Sequence, residues 1–190
     1  MKNILRPALT LFVLLTLFTG VIYPLLVTGI AQTVFSQQTG GSLIKRDGKL
    51  VGSELIGQAF SDPANFWSRP SATADMAYNA QASGGSNLGP LNPALADAVK
   101  QRIEALRAAD PGNTAAVPID LVTTSASGLD PHISPAAAQY QAQRVARARG
   151  ISLAQVQALV QQNTEQPLWG VLGESRVHVL RLNLALNALR

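Results

Sequence analysis

The sequence predicts an α+β fold in which a single N-terminal transmembrane helix is followed by one compact extracytoplasmic α+β domain. Two patterns lead to this prediction. The N-terminus contains a 30-residue run without a charged side chain, which is long and apolar enough to cross a bilayer. The rest of the chain combines helix-capping residues with short alternating segments, a mixture typical of helices and strands in one domain.

The uncharged run, residues 7–36, is the predicted membrane segment. Lys2 and Arg6 precede it, and the next charged residue is Lys45. About 20 apolar residues cross the hydrocarbon core, so the run holds one span and not two. A cleaved signal peptide is the alternative, but its apolar region is only about 7–15 residues long. Because cationic residues favour the cytoplasmic side, we expect residues 1–6 in the cytoplasm and residues 37–190 outside.

Small or weakly polar residues recur every four positions inside the membrane segment. They are Thr16, Gly20, Pro24 and Thr28. Such a face lets two helices approach closely in lipid, so these residues are candidates for partner contact, with chance spacing as the alternative. Pro24 also predicts a kink. Because the segment contains no Asp, Glu, Lys, Arg or His, it offers no charged ion pathway of its own.

The first part of the outer domain is predicted to contain a hairpin and a long loop. Residues 42–45 and 49–53 flank a turn with Asp47 and Gly48, and Asp-Gly supplies the positive φ angles of a tight hairpin. Residues 61–63 resemble a helix start. Residues 68–92 are rich in Ser, Ala, Asn, Gly and Pro, which predicts one long surface loop that is functional or mobile.

The second part alternates helices with strands. Three capping residues predict helix starts, and they are Asn92, Ser134 and Ser152. Gly150 is expected to end the second of these helices. Strands are predicted over residues 117–124 and 176–179, and a short apolar helix follows toward the C-terminus.

The charge balance and the absence of cysteine each exclude certain functions. Without Lys2 and Arg6, 13 of the 15 basic residues remain against 11 acidic ones. This balance gives no basic face for phosphate neutralisation, so nucleic acid is not an expected partner. The chain has no cysteine, which excludes disulfides, thiolate metal sites and cysteine nucleophiles.

Asp130 and His132 place a carboxylate and an imidazole two residues apart in the sequence. A structural turn, in which Asp130 accepts from backbone N–H groups, is the first interpretation. The alternatives are a ligand or partner contact and a membrane-anchored periplasmic enzyme that uses both side chains. The pair supplies at most two metal ligands, so no metal site is predicted.

Basic residues and a second histidine have structural interpretations. Arg144 lies near the end of a predicted helix with Arg147 and Arg149, where cations complement the helix dipole. We expect a solvated face there, with partner or lipid-headgroup contact as the alternative. His178 lies between two valines of the last predicted strand and is expected to be a satisfied or exposed strand histidine.

A glycine-containing loop is a weak candidate for nucleotide binding. Its residues are Ser83, Gly84, Gly85, Ser86 and Asn87. Consecutive backbone N–H groups in such a loop can bind an anion, although the chain contains neither a P-loop motif nor GxGxxG. A flexible loop and a partner contact are the alternatives.

Several motifs in order along the chain resemble one known family. Residues 52–58 read GSELIGQ, residues 69–71 read RPS, residues 83–90 read SGGSNLGP, residues 127–134 read SGLDPHIS and residues 182–186 read LNLAL. Together they resemble KdpC, the C subunit of the bacterial high-affinity potassium-transporting P-type ATPase. His178 and Arg181 depart from this pattern, because Asn and Glu are expected there.

This resemblance implies a subunit of an inner-membrane complex. The implied partners are a channel-like potassium-binding subunit, a P-type ATPase subunit, a small membrane peptide and membrane lipid. By resemblance, the chain is an accessory, non-catalytic subunit that aids assembly and acts as a catalytic chaperone by raising the ATP affinity of the pump. ATP and potassium are then handled by the partner subunits, and no cofactor is bound directly. If the domain lies outside, it can alter cytoplasmic ATP affinity only by coupling through the complex.

Overall fold

The computed structural model describes residues 2–189 as two compact units, residues 2–51 and residues 52–189. Met1 and Arg190, the outer ends of the predicted segments 1–6 and 37–190, lie outside the described residues. The predicted fold class is confirmed, because one N-terminal apolar helix precedes a compact domain of mixed helix and sheet.

The first unit is dominated by the apolar helix. Helix α1 (Lys2–Leu17) continues through a π-helical turn (Phe18–Ile22) into α2 (Tyr23–Val34). Within it, the 31 residues Ile4–Val34 are long and apolar enough, by length and composition, to cross a membrane. The π turn ends two residues before Pro24, which has no N–H to donate, so the helix accommodates the proline by a local widening.

A short helix and the predicted hairpin follow the apolar helix. Helix α3 (Ser36–Thr39) precedes strands β1 (Leu43–Arg46) and β2 (Lys49–Ser53), which pair with each other. Asp47 and Gly48 have φ angles of 50° and 74°, as a two-residue type I′ turn requires. The hairpin prediction is therefore confirmed.

Four helices form the helical part of the second unit, and the predicted caps define their starts. They are α4 (Pro93–Ala109), α5 (Pro135–Arg149), α6 (Leu153–Gln162) and α7 (Val179–Asn187). Asn92 and Ser134 each accept a hydrogen bond from a backbone N–H of the first turn, and Ser152 forms a capping box with Gln155. Gly150 ends α5 with a φ of 67°.

A three-stranded antiparallel sheet packs against these helices. Strand β5 (Arg176–His178) lies between β3 (His132–Ile133) and β4 (Thr164–Glu165). The core lies where α5, α6 and α7 meet this sheet. Its fully buried aliphatic side chains include Val145, Val156, Val160, Val177, Leu182 and Leu186.

Two predicted elements are wrong. Residues 117–124 form a 3₁₀ turn at Ile119–Leu121 instead of a strand. Pro118 offers no N–H to a sheet, and its carbonyl accepts from Leu121 instead. The side chain of Asp120 is directed at Ser134, whose N–H donates to Asp120 Oδ2 over 2.7 Å.

The predicted helix start at residues 61–63 makes only a single turn. Asp62 accepts from Ala64 N–H, but the chain then remains irregular because side-chain amides bind its backbone. Asn183 brackets Phe66, accepting from its N–H at 2.8 Å and donating to its carbonyl at 3.0 Å. Gln141 brackets Trp67 in the same way, at 2.7 and 3.1 Å. These amides take the backbone groups that a helix would have used.

Candidate functional site

Asp130 and His132 form a compact turn at the start of β3. Asp130 Oδ1 accepts from the backbone N–H of His132 at 3.0 Å and lies 3.1 Å from Nδ1 of the same residue. Asp130 Oδ2 is 3.2 Å from Arg69 Nη1. The carboxylate thus accepts from a backbone N–H, as the interpretation as a structural turn predicts.

Strand pairing brings a second histidine onto this turn. His132 on β3 is directly opposite His178 on β5, and the two rings meet edge to face with centroids 5.2 Å apart. The same strand, β5, pairs with β4, so Glu165 lies on the other side. Its Oε2 is 3.9 Å from His132 Nε2. The His132 ring therefore lies between the carboxylates of Asp130 and Glu165 and also contacts the ring of His178.

His178 is held as a neutral ring. Its Nδ1 accepts from the backbone N–H of Arg181 at 3.3 Å, which caps α7. Since Nδ1 accepts, the proton sits on Nε2, which donates to the Glu54 carbonyl at 2.9 Å. Burial lowers the pKa of His178, and nearby His132 and Arg181 add to this lowering. The predicted satisfied strand histidine is thus confirmed, with an added role as a helix cap.

Arginines surround the carboxylates of this cluster. Arg176 Nε is 2.9 Å from Glu165 Oε2, and Arg181 Nη2 is 2.7 Å from Glu54 Oε1. Partial burial opposes ionisation of Asp130 and Glu165. The pKa of both groups is nevertheless lowered, in Asp130 by hydrogen bonds from His132 and in Glu165 by the hydrogen bond from Arg176. Both carboxylates are therefore ionised near neutral pH.

The cluster borders an open groove of about 660 Å³. Its polar lining includes Arg69, Asp120, Asp130, His132, Glu174 and Arg176. Within residues 2–189, no hydroxyl or thiol is hydrogen-bonded to His132, and no group of three metal-ligating side chains occurs among the described residues. The geometry places a carboxylate beside an imidazole at the edge of this groove.

The loop of Ser83, Gly84, Gly85, Ser86 and Asn87 is bound to the segment that precedes Asp130. Gly84 N–H donates to the Ser127 carbonyl at 2.9 Å, and Ser83 Oγ donates to the same oxygen at 3.0 Å. A Cβ built on Gly85 would lie 3.1 Å from the Ala126 carbonyl oxygen. The structure thus joins two motifs that the sequence presents separately.

Gly128 is the position where this junction is tightest. Its φ is +68°, and a Cβ there would lie 2.6 Å from Thr73 Cγ2 and 2.7 Å from the Gly84 carbonyl oxygen. Ser71 Oγ donates to the Gly128 carbonyl at 2.7 Å. Only glycine fits this close approach in a left-handed conformation.

Arg144 is buried, which corrects the predicted solvated face. The residue is only 4% exposed. Its guanidinium donates to the carbonyls of Pro63 and Asn65 and to Gln141 Oε1, and it lies 4.5 Å from the centroid of a Trp67 ring. Burial lowers its pKa to about 10, so it remains charged near neutral pH. Arg144 is internal because the irregular segment 61–70 covers this part of α5, whereas Arg147 is exposed as predicted.

The four small residues of the apolar helix are all exposed. They are Thr16, Gly20, Pro24 and Thr28. Four residues of α-helix turn about 400°, so a four-residue repeat drifts by about 40° per step. The π turn between Thr16 and Pro24 places more residues in each turn and offsets part of that drift. The four residues therefore lie closer to one face than an unbroken α-helix would place them.

Sequence reasoning missed the residues that link distant segments. Glu54, Gln141, Glu165 and Asn183 all join parts of the chain that lie far apart in sequence. One local signal was present, because Gln141 and Arg144 are three residues apart on α5 and therefore share a face. The other three have no local partner that would identify them.

Comparison with known proteins points to one family. The KdpC family model, described as the c chain of the K⁺-transporting ATPase, matches residues 5–188. A potassium-transporting ATPase KdpC subunit from Polaromonas naphthalenivorans is 74% identical over 100% of this chain and 97% of that relative. One from Variovorax paradoxus is 70% identical over 99% of this chain and 97% of the relative. A third, from Methylococcus capsulatus, is 64% identical over the full length of both chains.

Proposed function

The chain belongs to the KdpC family of K⁺-transporting ATPase c chains, and we propose that it serves its complex as a single-pass, non-catalytic accessory subunit. The observation that carries this proposal is the 31-residue apolar helix Ile4–Val34, in which no charged side chain follows Arg6. Residues 7–34 of this helix include no Asp, Glu, Lys, Arg or His, so it can hold the chain in the membrane and contact other helices but has no charged group to bind or relay an ion. Potassium and ATP are then handled by other subunits.

The proposed partners are integral membrane subunits of the same ATPase. They are a channel-like potassium-binding subunit, a P-type ATPase subunit and a small membrane peptide. The exposed face of Thr16, Gly20, Pro24 and Thr28 is suited to close helix packing against them. The groove beside Asp130 and His132, with Arg69 and Arg176 at its edge, supplies both signs of charge for contact with a polar outer surface.

We assign the second unit to the extracytoplasmic side. Lys2 and Arg6 lie at the N-terminal end of the apolar segment, and no cation follows until Lys45. This asymmetry favours a cytoplasmic N-terminus. Protease added to intact spheroplasts is expected to cleave a C-terminal tag. Protection of that tag until the membrane is opened would reverse the orientation.

The proposed catalytic-chaperone role acts through the complex and not through direct nucleotide contact. Two polar groups of the glycine-containing loop, Gly84 N–H and Ser83 Oγ, already donate to the Ser127 carbonyl. A nucleotide would have to displace these bonds. An effect on ATP affinity instead requires that this subunit bind two states of the pump with different affinities.

Co-purification tests the proposal. The full chain, with a C-terminal tag, is expressed with the other genes of the complex and isolated in mild detergent. We expect two larger membrane proteins to co-elute with it in fixed proportion. Recovery of the tagged chain alone from cells that contain those subunits would contradict the proposal. A variant with Gly20 and Thr28 both changed to Leu tests the helix face, and it is expected to recover less of the partners than a variant with two leucines exchanged for isoleucine.

A further inference from the structure

An exposed apolar loop joins β4 to β5. Residues 166–173 carry no charge and lie between Glu165 and Glu174. Trp169 is 81% exposed and Val171 is 78% exposed. Leu168 and Leu172 are also more than half exposed. We name this segment, residues 168–172, the Trp169 loop. Large apolar side chains grouped on a surface mark an interaction site more often than scattered ones do.

The Trp169 loop has a fixed shape. Leu168 and Leu172 exchange two backbone hydrogen bonds of 2.9 and 3.0 Å, and Gly170 N–H donates to the Pro167 carbonyl at 2.9 Å. Trp169 and Gly170 have φ angles of 54° and 77°, which turn the chain sharply. The indole is therefore presented on a closed turn. A preformed contact of this kind loses little conformational entropy on binding.

We propose that the Trp169 loop inserts its indole into an uncharged, apolar cleft on another protein subunit of the ATPase complex. This inference rests on the proposed function. Tryptophan is enriched among the few residues that dominate the energy of protein interfaces, where it fills desolvated pockets. The eight-residue stretch without charge matches the depletion of charge at interface centres.

The size of the patch argues against a second copy of this chain as the occupant. Four side chains of this kind expose on the order of 500 Å² in total. A stable interface between two free proteins buries about 800 Å² on each partner. The loop is thus too small to hold a dimer alone. It suffices inside a complex in which the apolar helix already holds the chain near its partners, because tethering raises the effective concentration.

The charge around the loop argues against a lipid surface. Segments that bind membrane surfaces combine apolar side chains with Lys or Arg on the adjoining face. Residues 166–175 contain neither, and the nearest acidic residues are Glu165 and Glu174. The nearest cation, Arg176, is paired with Glu165. An anionic headgroup is therefore not attracted to the Trp169 loop. The flanking Glu165 and Glu174 do not repel an uncharged protein cleft.

A cysteine-labelling experiment tests this assignment, because the chain itself has no cysteine. Val171→Cys keeps Trp169 in place, and Leu91→Cys, at a residue that is 96% exposed, is the matched control. A maleimide is added to the detergent-purified chain alone and to the assembled complex. We expect assembly to slow labelling at position 171 at least tenfold and to leave position 91 unchanged. Equal rates at position 171 would overturn the proposal.

Crosslinking identifies the occupant. A benzophenone maleimide attached to Val171→Cys is photoactivated in the complex within lipid nanodiscs. A crosslink to a larger protein subunit, lost in Trp169→Ala but kept in Leu91→Ala, is the expected result. Crosslinks only to lipid, or to a second copy of this chain, would overturn the proposal. If the wild-type chain fails to co-purify with other subunits, the proposed function itself fails, whereas co-purification with an unprotected loop rejects the loop assignment alone.

Discussion

His132 and His178 lie opposite each other on neighbouring strands, with their rings edge to face and their centroids 5.2 Å apart. The two histidines have different surroundings. His132 lies between two carboxylates, whereas His178 is buried and fixed by Glu54 and by the start of α7. The pair therefore links the Asp130 turn, the sheet and the C-terminal helix.

His178 is predicted to be a major stability contact. His178→Ala removes the cap of α7 and leaves the partly buried Glu54 carbonyl without its donor. Loss of a cap costs about 1 kcal/mol, and an unpaired buried acceptor costs about 1–3 kcal/mol. The free energy of unfolding is thus expected to fall by about 2–4 kcal/mol in urea denaturation of the full chain in detergent. His178→Asn keeps a capping group and should lose less, so equal loss in both variants would contradict the capping role.

Acid is predicted to destabilise the second unit in two steps. The pKa of folded His178 is lowered from its ordinary value of 6.5, so the unfolded chain binds more protons below that value and stability falls as the pH drops through it. The pKa values of Asp130 and Glu165 are also lowered, from 3.8 and 4.5, so their contribution is lost below about pH 4.5. Denaturation at a series of pH values measures both steps. His178→Asn should abolish only the first, and a first step unchanged in that variant would contradict the assignment.

Arg144 is predicted to be irreplaceable by lysine. A lysine keeps the charge but cannot contact Pro63, Asn65 and Gln141 together while it stacks on Trp67. Hydrogen bonds from a charged group contribute about 1.5–3 kcal/mol, so Arg144→Lys should lower the free energy of unfolding by about 2–4 kcal/mol. Arg107→Lys, at an exposed position of α4, is the control and should change it by less than about 0.5 kcal/mol. Similar thermal unfolding of the two variants would show that the guanidinium contacts contribute little.

Three glycine-to-alanine variants separate backbone strain from steric clash. Gly128 has a positive φ and no space for a Cβ, Gly150 has a positive φ with open space, and Gly112 has open space and no positive φ. A left-handed alanine costs about 1–2 kcal/mol, and the clash at Gly128 adds to this. Loss of stability is therefore expected in the order Gly128→Ala, Gly150→Ala, Gly112→Ala, as measured by thermal melting. An equal loss for the first two would mean that Thr73 and the 83–87 loop both move away without cost.

The sequence predicts those parts of the fold that have a local cause. Asn92, Ser134, Ser152 and Gly150 define helix ends because capping acts within one turn. The uncharged run identifies the apolar helix because its length and composition alone predict a membrane-spanning helix. The strand expected over residues 117–124 failed because its apolar residues also suit a 3₁₀ turn, and the deciding contact, between Asp120 and Ser134, is not local.

The candidate site is less predictable than the fold around it. Asp130 and His132 could be selected because they are two residues apart. Glu165 and His178 join them only through pairing of strands that are two or three residues long, which leave almost no periodic pattern. The burial of Arg144 depends on coverage by residues 61–70. Gln141 on α5 and Asn183 on α7 hold that segment, and both lie more than 70 residues away from it in sequence.

The central claim is that this chain is an accessory subunit whose effect on ATP use passes through its complex. The most direct test measures potassium-stimulated ATP hydrolysis over a range of ATP concentrations by the complex purified with and without this chain. We predict that removal of this chain raises the ATP concentration needed for half-maximal activity, and that adding back the full chain returns that concentration to its original value. The chain alone is expected to hydrolyse no ATP. An unchanged ATP dependence without the chain, or hydrolysis by the chain alone, would contradict the claim.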